Sequence, residues 1–128
     1  MIGIVIVSHS RKLAEGVVEL ARMMASSAPL AAAGGLEDGG LGTSYDKIRQ
    51  AIESVYSDDG VAVLMDMGSA VMTAEMVLED LDGKNVRLLD CPLVEGAVLA
   101  AVESVGGISL PDLATRIEES RTARKLME

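Results

Sequence analysis

The chain has 128 residues, 49% of them hydrophobic, and a formal net charge of −9. That length suits one domain with a real core, burying roughly two-thirds of the surface its unfolded chain exposes. The acidic balance opposes nucleic-acid binding, and two Tyr with no Phe or Trp leave neither stacking platforms for single strands nor aromatic anchors for a membrane interface.

Ile2–Val7 is an apolar, β-branched run that reads as the first strand. It is too short for a signal peptide and has no basic flank before it. No run in the chain approaches the ~20 apolar residues of a membrane span. A helix follows, with Leu13, Val17, Leu20, Ala21 and Met24 on one face. Leu30–Ala33 is placed as the second strand by spacing and by the Gly34-Gly35 pair that ends it. Ile48, Ala51, Ile52 and Val55 mark the second helix, and Val61–Met65 the third strand. Val71, Ala74, Leu78 and Leu81 mark the third helix, and Val86–Asp90 the fourth strand. Val94, Ala97, Val98, Ala101, Val102 and Val105 give a fourth helical face. A fifth helix is expected after Ser109-Leu110-Pro111-Asp112, since proline is favoured in a first turn. Leu113 and Ile117 form its apolar face, and Arg121, Arg124 and Lys125 suit the negative end of its dipole.

Three of the four strands are continuous apolar runs, as in strands covered on both faces. Strand alternating with helix predicts an α/β fold with a mostly parallel sheet and helices on both faces. With no internal repeat and no linker, residues 1–128 read as a single domain. The eight Met are read as core filler where aromatics are missing.

Ligands of open α/β sheets bind beyond the carboxyl ends of the strands. Those ends carry Ser8-His9-Ser10, then a glycine-rich loop ending in Gly42-Thr43-Ser44, then Asp66 with Gly68 and Ser69, and last Asp90-Cys91-Pro92. The first three loops bring Ser or Thr to a helix start, where free N–H groups and a partial positive charge favour phosphate. The same residues are also ordinary N-caps. His9, the only histidine, is a structural residue or the reactive one. Asp66 is a turn or cap residue, or the acceptor of the His9 Nδ1 proton, which would leave Nε2 as a nucleophile. The glycines match neither a P-loop nor a dinucleotide fingerprint. One His and one Cys cannot supply a zinc site, and Cys91 lacks a second histidine to activate it. Neither a metal nor a cofactor is expected. A serine hydrolase using Ser8 or Ser10 fits poorly, because neighbouring strand residues point apart and no nucleophile elbow is present. Ser69 with His9 stays open as a pair. A lone cysteine fits a reducing cytoplasm.

VSHSRKLAEGVVELARMM, the later GTS, MDMGSAVMTAE and CPLVEGAVLAAV together resemble the phosphotransfer subunits of phosphoenolpyruvate-dependent dihydroxyacetone kinases. The first domain of those subunits is similar to the mannose-type enzyme IIA domain of the sugar phosphotransferase system. The resemblance runs through nearly the whole chain. The expected architecture is then a three-layer sandwich around a four-stranded sheet of order 2-1-3-4. The resemblance implies a phosphotransferase subunit in which His9 is transiently phosphorylated. The donor would be the histidine-containing phosphocarrier protein, and the acceptor ADP held on the kinase's nucleotide-binding subunit. Asp66 would hold the ring, while Ser10, Thr43, Ser44 and Ser69 would donate to the phosphoryl oxygens, with Gly42 and Gly68 in the same cradle. A homodimer is implied. Some family members carry further carrier-like domains downstream. Here separate upstream proteins are expected to deliver the phosphoryl group. The alternatives are an enzyme IIA component of a mannose-type sugar transporter, and a regulator whose phosphorylated His9 only changes what it binds.

Overall fold

A computed structural model describes residues 1–126. Strand and helix alternate: β1 (Gly3–Ser8), α1 (Arg11–Met24), β2 (Leu30–Gly34), α2 (Tyr45–Val55), β3 (Val61–Met65), α3 (Gly68–Asp80), β4 (Val86–Leu89), α4 (Leu93–Val105) and α5 (Leu110–Glu118). A 3-10 turn over Glu119–Thr122 follows. The strands lie in the order β2-β1-β3-β4, every pairing parallel, as the expected architecture required. Ile4 stands opposite Leu30 on one side and Ala62 on the other.

Strand alternation splits β1 between two cores. Ile4 and Ile6 join Leu64 and the inner faces of α1, α4 and α5. Val5 and Val7 join Val63 and the inner faces of α2 and α3. Helices therefore cover both faces of the sheet, the three-layer sandwich. Each fully buried Ile or Leu contributes about 1.5–3 kcal/mol relative to exposure. β2, an edge strand of small residues, is guarded: Arg22 donates to the Leu30 carbonyl at 3.3 Å and Lys47 to that of Gly34 at 3.0 Å.

Two helical faces lie elsewhere than the periodicity suggested. α1 buries Ala14, Val17, Val18 and Ala21, while Leu13, Leu20 and Met24 stay exposed. α4 buries Gly96, Ala97, Ala100, Ala101 and Ser104, leaving Val94, Leu99, Val102 and Val105 exposed. Both helices carry more apolar residues than one stripe needs, and the small ones face inward because they permit close approach. The methionines also differ from expectation. Met23, Met24, Met67, Met72 and Met76 are exposed rather than core filler. Arg121 lies in the 3-10 turn, and Arg124 and Lys125 lie past α5, where Lys125 pairs with Glu95.

Gly34 shapes the site end of the sheet. A Cβ there would come within 2.6–2.8 Å of the Ser10 carbonyl, the Arg11 Cα and Ala14. Only glycine lets the end of β2 lie this close to the start of α1, which carries the following loop up to His9.

Candidate active site

The four strands end together, and His9 and Asp66 follow β1 and β3 directly. Asp66 accepts four hydrogen bonds, two on each oxygen. The Ser8 hydroxyl donates to Oδ2 at 2.8 Å and the His9 main-chain N–H to the same oxygen at 3.0 Å. The Met67 N–H donates to Oδ1 at 2.7 Å, and His9 Nδ1 lies 2.9 Å from that oxygen. Burial pushes the Asp66 carboxyl up, but the donors, led by Ser8, outweigh it and hold the group below its ordinary range. Asp66 is therefore ionised near neutral pH and can only accept. The Nδ1 of His9 must carry the proton between them, leaving the lone pair on Nε2. The Ser69 hydroxyl contacts Nε2. With this tautomer it donates to the lone pair, so an incoming electrophile has to displace it. The ring is partly accessible, with 22% of the His9 side chain exposed against 12% for Asp66.

The loop after β2 is fastened to the histidine. Gly42 donates its N–H to the His9 carbonyl at 2.8 Å. Its φ of +143° and the Leu36 side chain, 2.9 Å from where a Cβ would sit, both favour glycine. Thr73 donates its hydroxyl to the Ser69 carbonyl at 3.0 Å, so Thr43, 3.0 Å from Thr73 Oγ1, is the donor of that pair. Thr43 thus reaches the start of α3 through Thr73.

Helix starts divide into two kinds. Ser10 caps α1 by accepting the Leu13 N–H at 3.2 Å. Ser44 caps α2 by accepting the Lys47 N–H at 3.2 Å and gives its own proton to Glu37 at 3.1 Å. Ser69, expected to open α3 in the same way, is instead its second residue. Met67 holds the cap position and offers no side-chain acceptor. The Gly68 and Ser69 N–H groups bind no acceptor among the described residues. A side chain at Gly68 would meet nothing within 4 Å, so the space beside it is open.

His9, Asp66 and Ser69 are thus joined directly, with Gly68 beside them. Gly42 and Thr43 adjoin through the backbone and through Thr73, while the hydroxyls of Ser10 and Ser44 serve their own helices. Ser8 and Thr73 were absent from the expected site. Their signal was local: a polar residue ending an apolar strand, and a Thr four residues after Ser69. Burial, then Asp90 and Glu118, push the Cys91 thiol up to about 12, which disfavours the thiolate that a cysteine nucleophile needs. Among the described residues no group of three or more His, Cys, Asp or Glu could hold a metal ion, and no helix is long and apolar enough to cross a membrane. The arrangement suits a nucleophilic Nε2 receiving an anionic group at a helix start.

Residues 3–111 match the family model described as the PTS system fructose IIA component. The chain is 46% identical over 117 residues to the PEP-dependent dihydroxyacetone kinase, phosphoryl donor subunit DhaM, of Escherichia coli strain K12, covering 86% of this chain and 25% of that protein. It is 38% identical to the PTS-dependent dihydroxyacetone kinase, phosphotransferase subunit DhaM, of Lactococcus lactis, covering 91% of this chain and 94% of that one. The chain therefore spans a quarter of one relative and nearly all of the other. A crystal structure of a protein of unknown function, EF1359, superposes with a TM-score of 0.83 at 31% identity over 98% of both chains. The chain belongs to the EIIA-man family, in the branch of the DhaM phosphoryl donor subunits.

Proposed function

We propose that this protein is a phosphohistidine relay. It takes a phosphoryl group from the histidine-containing phosphocarrier protein of the phosphotransferase system. It then passes the group to ADP held on the nucleotide-binding subunit of a dihydroxyacetone kinase. The observation that carries the reading is the ionised Asp66 on Nδ1 of His9, which leaves the Nε2 lone pair at the uncapped start of α3.

The Nε2 lone pair attacks the phosphorus of the donor phosphohistidine. The donor N–P bond breaks and its electron pair returns to the donor imidazole. His9 keeps its Nδ1 proton, and Asp66 balances the positive charge that grows on the ring. The Ser69 hydroxyl turns from Nε2 to a phosphoryl oxygen, and the Gly68 and Ser69 N–H groups supply further donors. In the second step an ADP β-phosphate oxygen attacks the same phosphorus. The Nε2–P bond breaks, its pair returns to Nε2, and ATP forms. Positioning and charge stabilisation carry most phosphoryl-transfer catalysis.

The surroundings suit protein partners. Leu41, Met67 and Met72 are 79%, 60% and 67% exposed, and Met76, further along α3, is exposed as well. Methionine surfaces repack readily, which suits docking two different proteins in turn. The exposed apolar flanks of α1 and α4, with Leu13, Leu20 and Met24 on one and Leu99, Val102 and Val105 on the other, support the expected homodimer. The reading further assigns residues 1–128 to one domain working in the cytoplasm.

The test is transfer of labelled phosphate from phosphoenolpyruvate through the upstream carriers to the ADP-loaded kinase subunit, with wild type and His9→Ala. Label passing through an acid-labile bond to ATP, and none in the variant, is the expected result. Labelling without ATP formation would turn the assignment to a sugar-transport enzyme IIA or a regulator. No labelling of the wild type would end the relay reading.

A further inference from the structure

We propose that Ser8 is a positioning residue: its hydroxyl fixes the plane of the Asp66 carboxylate and, through it, the tautomer and direction of the His9 ring. The proposal rests on the relay reading for its effect on rate alone. Its effect on the ring is measurable without any transfer.

Ser8 ends β1 in register with Gly34 and continues the file of Ile4 and Ile6 toward the α1 side of the sheet. It is fully buried, where the residues before it in that file are isoleucines. A hydroxyl in such a place is costly unless bonded. Here it is bonded twice, donating to Asp66 Oδ2 at 2.8 Å and accepting the Ser10 N–H at 3.0 Å. The N–H can only donate and the carboxylate can only accept, so the hydroxyl proton has a single orientation. This geometry removes Ser8 from nucleophilic chemistry, since its hydroxyl is buried and engaged on both sides.

The carboxylate torsion of an aspartate is soft and broad. At Asp66 it is pinned because each oxygen has two partners. Without Ser8, Oδ2 keeps only the His9 N–H, and the carboxylate can turn away from Nδ1. The ring then loses its fixed acceptor, and the neutral imidazole divides between its two tautomers. Only the form protonated on Nδ1 presents the Nε2 lone pair to a phosphoryl donor.

Ser8→Ala and Ser8→Cys remove or weaken the donor, the first with nearly unchanged volume, and Ser8→Thr keeps it. Two readouts separate positioning from packing. Nitrogen chemical shifts of labelled histidine report the tautomer, and single-turnover phosphoryl transfer at saturating donor reports the rate. Wild type and the Thr variant should hold the Nδ1-protonated form and transfer within about twofold of each other. The Ala and Cys variants should show mixed tautomers and transfer about tenfold more slowly, in kcat rather than KM. A folded Ala or Cys variant that keeps one tautomer and the wild-type rate would overturn the proposal, and the Cys variant decides if the Ala variant does not fold. Should the wild type never be phosphorylated, the relay reading fails, and the tautomer comparison still decides the role of Ser8.

Discussion

The starts of α2 and α3 lie at the same edge of the sheet and carry similar residues, Thr43-Ser44 and Gly68-Ser69, yet they are built oppositely. At α2 the serine sits at the cap, accepts a helix N–H and hands its proton to Glu37. At α3 the cap is Met67, the serine lies two positions further in, and its hydroxyl reaches the histidine. The side-chain cap of α2 takes one donor of the helix start, the Lys47 N–H. Without such a cap, α3 forgoes about 1 kcal/mol of helix stability and leaves its start open to a ligand. The difference separates Ser69, whose hydroxyl touches the His9 ring, from Ser44, whose hydroxyl serves its own helix.

The comparison can be broken from its most reactive part outward. Asp66→Asn removes the charge that holds the Nδ1 proton, and phosphoryl transfer should fall on the order of 100-fold. Quench-flow transfer from the phosphorylated carrier measures this, and a loss under threefold would detach Asp66 from the mechanism. Met67→Asp gives α3 the cap it lacks. Stability should rise by about 1 kcal/mol in urea while transfer drops about tenfold, because the new carboxylate takes the free N–H groups and repels phosphate. A variant both more stable and equally active would mean that those N–H groups never meet the phosphoryl group.

The pH dependence of folding tests the electrostatics of the same carboxylate. Its hydrogen bonds hold Asp66 below its ordinary pKa. Its contribution to stability is therefore complete above the unfolded value, about 3.9, and is lost as pH falls through the lower folded value. Urea midpoints of wild type and Asp66→Asn should differ at pH 7 and converge below about pH 4. A gap that stays constant with pH would argue against an ionised Asp66. The smallest effect on transfer is expected at the other helix. Ser44→Ala should cost about 1 kcal/mol of stability and leave transfer within about twofold. A tenfold slower transfer would return Ser44 to the phosphate cradle.

Much of this was legible in the residues. Val61–Met65 forms the third strand with the bounds read from the apolar run, and Ile48, Ala51 and Ile52 face the core as their spacing predicted. His9 and Asp66 were legible because each is a polar residue closing an apolar strand. The inner faces of α1 and α4 were not. Leu13, Leu20, Val102 and Val105 fit a 3.6-residue stripe as well as the alanines that are buried. Hydrophobic period cannot choose between two overlapping stripes, and close packing of helix on sheet chose the small residues. Ser69 was misplaced by two positions for a related reason. A serine after glycine at a helix start resembles a cap, and only the backbone conformation at Met67 shows where the helix begins.

The sequence by itself determined the alternation of strand and helix, the buried parallel sheet and the edge where chemistry had to lie. These follow from local polarity and chain connectivity, which act over a few residues. Tertiary structure alone decided which hydroxyls remain available. Ser8 meets Asp66 across 58 positions of sequence, and Ser69 meets His9 across 60. Whether a serine caps a helix, steadies a carboxylate or touches a nucleophile depends on which donors and acceptors the folded sheet brings within about 3 Å, a distance set by packing and not by spacing along the chain.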